Sequence, residues 1–292
     1  MIPAAFDYFR AHTIDEAFAR LQQHGGDARV LAGGQSLIPA MRFRLARPAV
    51  LVDVNAVSEL NYLRVSGPVL AIGAIARDSD IERAPWIGDR RWSLVHDVSR
   101  VVADPVVRQM GTVVGSLCHN DPAGDWTATA LASRATVVVR GTSGTRRVPI
   151  DEFLVDSFST AVGEGEMALG AEFPVPDDRT AGSYQKVERK VGDFATAAAA
   201  VQLSLNADGT IRAAGVALSA AGATAVRVAE AEKLLVGQKP TAALLRAASD
   251  AAWKRSAPQA DLRGSVEYKK HLAGVLVARG IRQALARLGV QA

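Results

Sequence analysis

A strand that runs without a spacer into two glycines, and from them into a helix, leaves a chain few ways to fold. Ala28-Arg29-Val30-Leu31 reads as a short strand, and Ala32-Gly33-Gly34-Gln35-Ser36-Leu37 follows it directly. The apolar, arginine-spaced segment from Ile38 to Leu45 then predicts a helix. Pro39 falls in its first turn, where proline is tolerated, and Pro48 helps to end it. Upstream, Thr13 and Glu16 have the spacing of a capping box, and Ile14, Ala17, Phe18 and Leu21 recur at helical spacing up to a Gly25-Gly26 stop. Downstream, Val50 to Val54 reads as a second strand. The order is helix, strand, glycine turn, helix, strand. A glycine turn that opens a helix after a strand is a ready phosphate site.

A second glycine-bearing stretch runs from Gly111 to Trp126. Gly111, Thr112, Gly115 and Ser116 come first, then Asp121-Pro122, then Asp125. It reads as a loop. Thr112 and Ser116 bring hydroxyls beside main-chain N–H groups, which can form an anion-holding nest. No lysine or arginine falls between Gly111 and Trp126, so a phosphate here would be held by backbone dipoles and not by countercharge. Asp125 accepts hydrogen bonds only, which suits a ribose hydroxyl or a ring N–H. The same composition suits an ordinary connection between two elements, and the residues of this stretch leave both readings open. The familiar nucleotide signatures are missing: there is no G-x-x-x-x-G-K-[ST], and no G-x-G-x-x-G follows a strand.

Turn signals divide the rest. Ser66-Gly67-Pro68 joins two strands, 62–65 and 69–73. Helices are expected around 80–83 and over 93–102, the second stopped by Asp104-Pro105, with a short one over 126–132. The segments 136–140 and 146–150 pair as a hairpin, Phe153 and Phe158 are expected to pack, and 167–173 is another strand. Pro174 to Asp178 is the best linker. Beyond it come strands 183–189, 195–205 and 211–219, the last two joined by Asn206-Ala207-Asp208-Gly209. Helices over 226–235, 241–255 and 266–288 close the chain, and the alanine-rich strands suggest close packing of helices on them.

The two glycine turns together resemble the FAD-binding medium subunit of the molybdenum hydroxylases, the carbon monoxide dehydrogenase and xanthine dehydrogenase flavoproteins. Its motifs run roughly A-G-G-x-[ST]-L and T-[IL]-G-G-[SN]-L-x-x-A-D-P-x-x-D. The likeness continues through Tyr184-Gln185-Lys186, Asp193-Phe194-Ala195, Ala229 to Gly237 and Asp261 to Tyr268, so it spans nearly the whole chain in order. It implies an α+β protein. An FAD-binding domain of the vanillyl-alcohol-oxidase/p-cresol-methylhydroxylase type would cover 1–176, with subdomains 1–57 and 58–176. A C-terminal flavoprotein domain of a small antiparallel sheet and a three-helix bundle would cover 177–292. Matched position by position, Leu31, Ala32, Gly33, Gly34, Gln35, Ser36, Leu37, Thr112, Gly115 and Ser116 would surround the pyrophosphate. Asp125 would accept from the adenosine side, Lys186 would reach the flavin region, and Val102 and Met167 would pack on the cofactor. Two positions depart: Val114 stands where the family has the first glycine of a pair, and Asn120 where it has alanine. A branched Cβ makes any φ > 0 costly, so an adjusted loop with FAD retained is expected.

The resemblance implies a relay, with no acid–base catalysis by this chain. Electrons would come from a molybdenum centre through iron–sulfur clusters to FAD and on to an external acceptor. A lone cysteine, Cys118, cannot ligate a cluster, so a small iron–sulfur subunit and a large molybdopterin subunit are expected as partners in a heterotrimer-type complex. Two alternatives stand beside this: a self-sufficient FAD-dependent oxidoreductase, and a flavin-free assembly or scaffold subunit. Ser116, His119 and Asp121 lack the G-x-S-x-G elbow of a hydrolase, and Cys118-His119 lacks further ligands at metal spacing. The arginines from Arg42 to Arg47 read as a solvated helix face or part of a subunit contact. Net charge is a mild +4 with scattered arginines, which argues against nucleic acid. No apolar run is long enough to span a bilayer, the first residues are soon interrupted by charge, and a cytoplasmic protein is expected.

Overall fold

Thr13 caps the first helix as its spacing predicts. Its Oγ1 accepts from the Glu16 amide at 3.1 Å, while the Glu16 carboxylate takes the His12 amide at 2.8 Å. The computed structural model describes residues 2–291; Met1 and Ala292, the outer ends of the two expected domains, lie outside the described residues. The first unit is β1 (Asp7–Arg10), α1 (Ile14–His24), β2 (Ala28–Leu31), α2 (Leu37–Arg42) and β3 (Val50–Asp53). Its strands form a parallel sheet in the order β1-β3-β2. β1 has no counterpart in the sequence reading. α2 ends at Arg42 and not at Leu45, because Arg44 takes φ 59° and turns the chain, leaving Phe43 and Leu45 exposed.

The second unit begins with the hairpin β4 (Leu63–Ser66) and β5 (Val69–Gly73). Five helices follow: α3 (Asp78–Glu82), α4 (Ser93–Val101), α5 (Pro105–Arg108), α6 (Val113–His119) and α7 (Asp125–Ser133). Then come the hairpin β6 (Thr136–Gly141) and β7 (Gly144–Pro149), α8 (Ile150–Phe153), a small hairpin β8 (Leu154–Asp156) and β9 (Ser159–Thr160), and β10 (Met167–Pro174). β10 returns to the middle of an antiparallel sheet ordered β4-β5-β10-β6-β7. Three expectations are corrected here. Asp104-Pro105 does more than stop α4: the Asp104 carboxylate accepts from the Val106 and Val107 amides at 2.9 Å and starts α5. The stretch from Gly111 to Trp126 is mostly helical, because Thr112 Oγ1 takes the Gly115 amide at 3.0 Å and caps α6. Phe153 is buried, but Phe158 is exposed at a left-handed turn of φ 57°.

The third unit is β11 (Thr180–Val187), β12 (Ala197–Leu205), β13 (Ile211–Ser219), β14 (Val226–Arg227), α9 (Ala229–Leu235), α10 (Ala242–Arg255) and α11 (Val266–Arg287). Its sheet is antiparallel in chain order. Val226, expected to open a helix, instead pairs with Leu218 as an edge strand, and the helix starts three residues later at Ala229. A Val-Arg-Val run suits a pleated edge better than a first helical turn.

The alanines of β12 alternate between two cores. Ala198 and Ala200 join the core built with α4 and α7, while Ala197, Ala199, Val201 and Leu203 face α11, on which α10 packs. The sheet is therefore covered on both faces, which is why its strands read as continuous apolar runs. Contact is close: a Cβ at Gly215 in β13 would lie 1.9 Å from Ala132 O in α7.

Candidate functional site

The two glycine turns meet main chain to main chain. A Cβ built on Gly33 would lie 2.1 Å from Met110 O and 3.0 Å from the Gly111 Cα, so only glycine permits the approach. Gly34 then takes φ 72°, turning the chain into α2. Among the described residues, the N–H groups of Gly33, Gly34, Gln35, Ser36 and Leu37 meet no protein acceptor, and neither do those of Val113 and Val114. The carbonyls nearby are occupied instead. Asn55 Nδ2 donates to Ala32 O at 2.9 Å, Arg77 Nη1 to Met110 O at 2.8 Å, and the Asp78 amide to Gly111 O at 3.0 Å. A row of unpaired donors with the acceptors turned away is suited to an anion.

Val114 needs no adjusted loop. It is a helical residue of α6, 2% exposed, with its branched side chain in the apolar core and no positive φ. Asn120 ends α6 at φ 47°, and its amide donates to Asp156 O and Ser159 O, both at 2.8 Å, tying α6 to the β8–β9 hairpin. Asparagine tolerates that left-handed backbone better than most residues do.

Asp125 and Lys186, expected at separate parts of a cofactor, form one buried pair. Lys186 Nζ lies 3.0 Å from Asp125 Oδ2 and 3.1 Å from Glu188 Oε2, and donates to Val101 O at 3.0 Å; Tyr184 Oη donates to Asp125 Oδ1 at 2.8 Å. Burial pushes the Asp125 carboxyl above its ordinary value, against the pull of Lys186 and of the Tyr184 hydroxyl. Val102, next to that Val101 carbonyl, ends α4 and is buried. Met167 is buried at the start of β10 opposite Arg140 and belongs to neither turn. Ser116 is half-buried on α6.

Three polar residues of the site escaped the sequence reading: Asn55, Arg77 and Asp78. None lies in a motif, and their only signal is an Arg-Asp pair closing the apolar run from Ala74 to Ala76. Asp78 is 1% exposed beside Gly111, and Trp126 Nε1 donates to its Oδ1 at 3.0 Å. Burial pushes its carboxyl up to about 7, against the Trp126 hydrogen bond and nearby Arg108. Among the described residues no cluster of His, Cys, Asp and Glu could hold a metal. His119 rests on the Phe158 ring, centroids 5.2 Å apart. The arrangement supplies anion donors and a buried ion pair, which is a binding chemistry.

Residues 4–176 match the family of the FAD binding domain in molybdopterin dehydrogenase, and residues 182–284 match the CO dehydrogenase flavoprotein C-terminal domain. The carbon monoxide dehydrogenase medium chain of Hydrogenophaga pseudoflava is 37% identical over 287 residues, covering 98% of this chain and 99% of that one. The 6-hydroxypseudooxynicotine dehydrogenase complex subunit alpha of Paenarthrobacter nicotinovorans is 32% identical over 287 residues, covering 98% and 97%. A solved structure of the Hydrogenophaga pseudoflava carbon monoxide dehydrogenase, in a form lacking the Mo-pyranopterin moiety, superposes with a TM-score of 0.95 at 37% identity. It covers 98% of this chain and 99% of the other.

Proposed function

This chain belongs to the FAD-binding medium-subunit family of the molybdopterin dehydrogenases, and on that premise we propose that it is the FAD-carrying, electron-transfer subunit of a molybdenum hydroxylase complex. The observation that carries the reading is the run of unpaired amides from Gly33 to Leu37, packed against the turn at Gly111. That donor set fits a diphosphate without a lysine or arginine in either turn. When bound, FAD would supply the redox chemistry of a relay between iron–sulfur clusters and an external acceptor, and this chain's residues would bind and orient it.

Leu31 to Leu37, with Thr112, Gly115 and Ser116, would hold the diphosphate. Asp125 and Lys186 would act on the cofactor as one buried unit, the lysine pulling against the burial that raises the carboxyl. Val102 and Met167 contribute apolar surface. The division into 1–176 and 177–292 belongs to the same reading, and the two matched family ranges support it. So does a small iron–sulfur subunit with a large molybdopterin subunit as partners in a cytoplasmic heterotrimer, since Cys118 is the sole cysteine. Relatives named for carbon monoxide and for 6-hydroxypseudooxynicotine share this subunit type, which supports substrate choice residing on the molybdopterin chain. Val114 was the one residue favouring a flavin-free scaffold, and its place inside α6 removes that support.

The test is purification of the chain with its natural partners. The expected product is yellow, releases one FAD per chain on denaturation, and carries iron and molybdenum on other polypeptides. A colourless chain, or flavin with no metal-bearing partner, would refute the proposal.

A further inference from the structure

The carbonyls beside the unpaired amides of the first turn are held by side chains behind them. Asn55 is fixed by Asp53, whose Oδ1 accepts from the Asn55 amide at 2.8 Å and from Asn55 Nδ2 at 2.6 Å. Burial pushes the Asp53 carboxyl up, but hydrogen bonds from Tyr8 and Asn55 outweigh it and hold the group below its ordinary value, hence ionised. That orientation directs Asn55 Nδ2 at the carbonyls of Ala32 and Leu31, at 2.9 and 3.5 Å, and Oδ1 away from them. Arg77 Nη2 donates to this Oδ1 at 2.6 Å, while its Nη1 donates to Met110 O at 2.8 Å. One guanidinium thus links the residue that grips the first turn to the main chain of the second. Met110 O lies between Arg77 and the face of Gly33.

We propose that Asn55 and Arg77 are positioning residues for the cofactor, a two-residue clamp that sets the gap between the glycine turns. It also keeps the carbonyl dipoles of Leu31, Ala32 and Met110 turned from the diphosphate. The inference rests on the FAD reading. Neither residue needs to touch the cofactor. With the clamp gone, either turn can rotate a peptide and present oxygen, not N–H, to an anion. The guanidinium is half-buried; burial lowers its pKa, opposed by Asp80, Asp53 and Asp78.

The test compares the full-length parent with Arg77→Met, Asn55→Ser, the double variant and Arg77→Lys. FAD release on dilution is followed by flavin fluorescence, beside the melting temperature of each flavin-free form. The expected result is release about ten- to a hundredfold faster in each of the first two variants, the loss of a charge-assisted hydrogen bond in a network. The double variant should release no faster than the worse single one, because the pair acts as one device, and Arg77→Lys should recover part of the loss. Release as slow as the parent's in either single variant overturns the clamp. So does a double effect equal to the product of the singles, or a lowered melting temperature with unchanged release. A parent without flavin would refute the FAD reading instead. The clamp is then read from hydrogen exchange of the Asp78 amide, held by Gly111 O: faster exchange in Arg77→Met supports it, and unchanged exchange overturns it.

Discussion

Gly33→Ala adds a single methyl group and should empty the cofactor site. The new Cβ would stand 2.1 Å from Met110 O and 2.9 Å from Met110 C, where ordinary contact begins near 3.4 Å. More than an ångström must be found, and both clashing atoms are main chain, so no rotamer change relieves them. Met110 O cannot retreat, because Arg77 Nη1 already stands 2.8 Å from it. One turn must therefore move relative to the other. Overpacking of this kind costs about 1–3 kcal/mol of stability, which a chain of this size survives. Binding suffers more: two misaligned charge-assisted hydrogen bonds at about 1.5 kcal/mol or more each come to about a hundredfold in affinity. Gly88→Ala is the control, since a Cβ there meets nothing within 4 Å. The assay is FAD per chain after gel filtration, with the affinity from flavin fluorescence quenching. A Gly33→Ala protein that holds FAD as tightly as Gly88→Ala does would refute the packing of the two turns.

Asp78→Asn tests the buried acid: with its carboxyl raised to about 7, the folded chain keeps a proton that the unfolded chain releases. The ionisation penalty is thus absent below the ordinary carboxylate range of about pH 4, grows as pH rises, and is complete above about 7. The variant should gain stability over the parent across that window, to a ceiling of about 4 kcal/mol by urea unfolding, and a difference flat with pH would refute it. Lys186→Met strands the Asp125 carboxylate in a dry site and should cost about 3–5 kcal/mol by urea unfolding; unchanged stability would show that the pair is dispensable. Burial pushes the Cys118 thiol up to about 12, so iodoacetamide should label the native chain far more slowly than the unfolded one near pH 8, and equal rates would place the thiol in water.

What could be read from sequence was whatever announces itself locally. The Thr13 cap, the hairpins at Gly67 and Gly209 and the glycine turn after β2 depend on neighbours within a few positions. β1 did not: Asp7 to Arg10 has largely exposed side chains, and its only warrant is parallel pairing with β3 some forty residues on. α6 was hidden because three glycines and a proline turn within sixteen residues have the composition of a loop, while the Thr112 cap that settles the matter is one side chain. At the site, the glycines were legible because a motif records them. Asn55 and Arg77 were not, since each works through a partner remote in the chain, and no spacing expresses a guanidinium that bridges two turns.

The alanine seam of β12 has a mechanical consequence. A strand gripped by α4 and α7 of the second unit on one side, and by α11 backed by α10 on the other, leaves no plane along which the lobes could slide. Alanine offers no long side chain to rearrange, so the joint has no slack to give up. A carrier seated in the larger lobe would then keep a constant distance to whatever docks on the smaller one, with that spacing set once, at folding, and not renegotiated at each turnover.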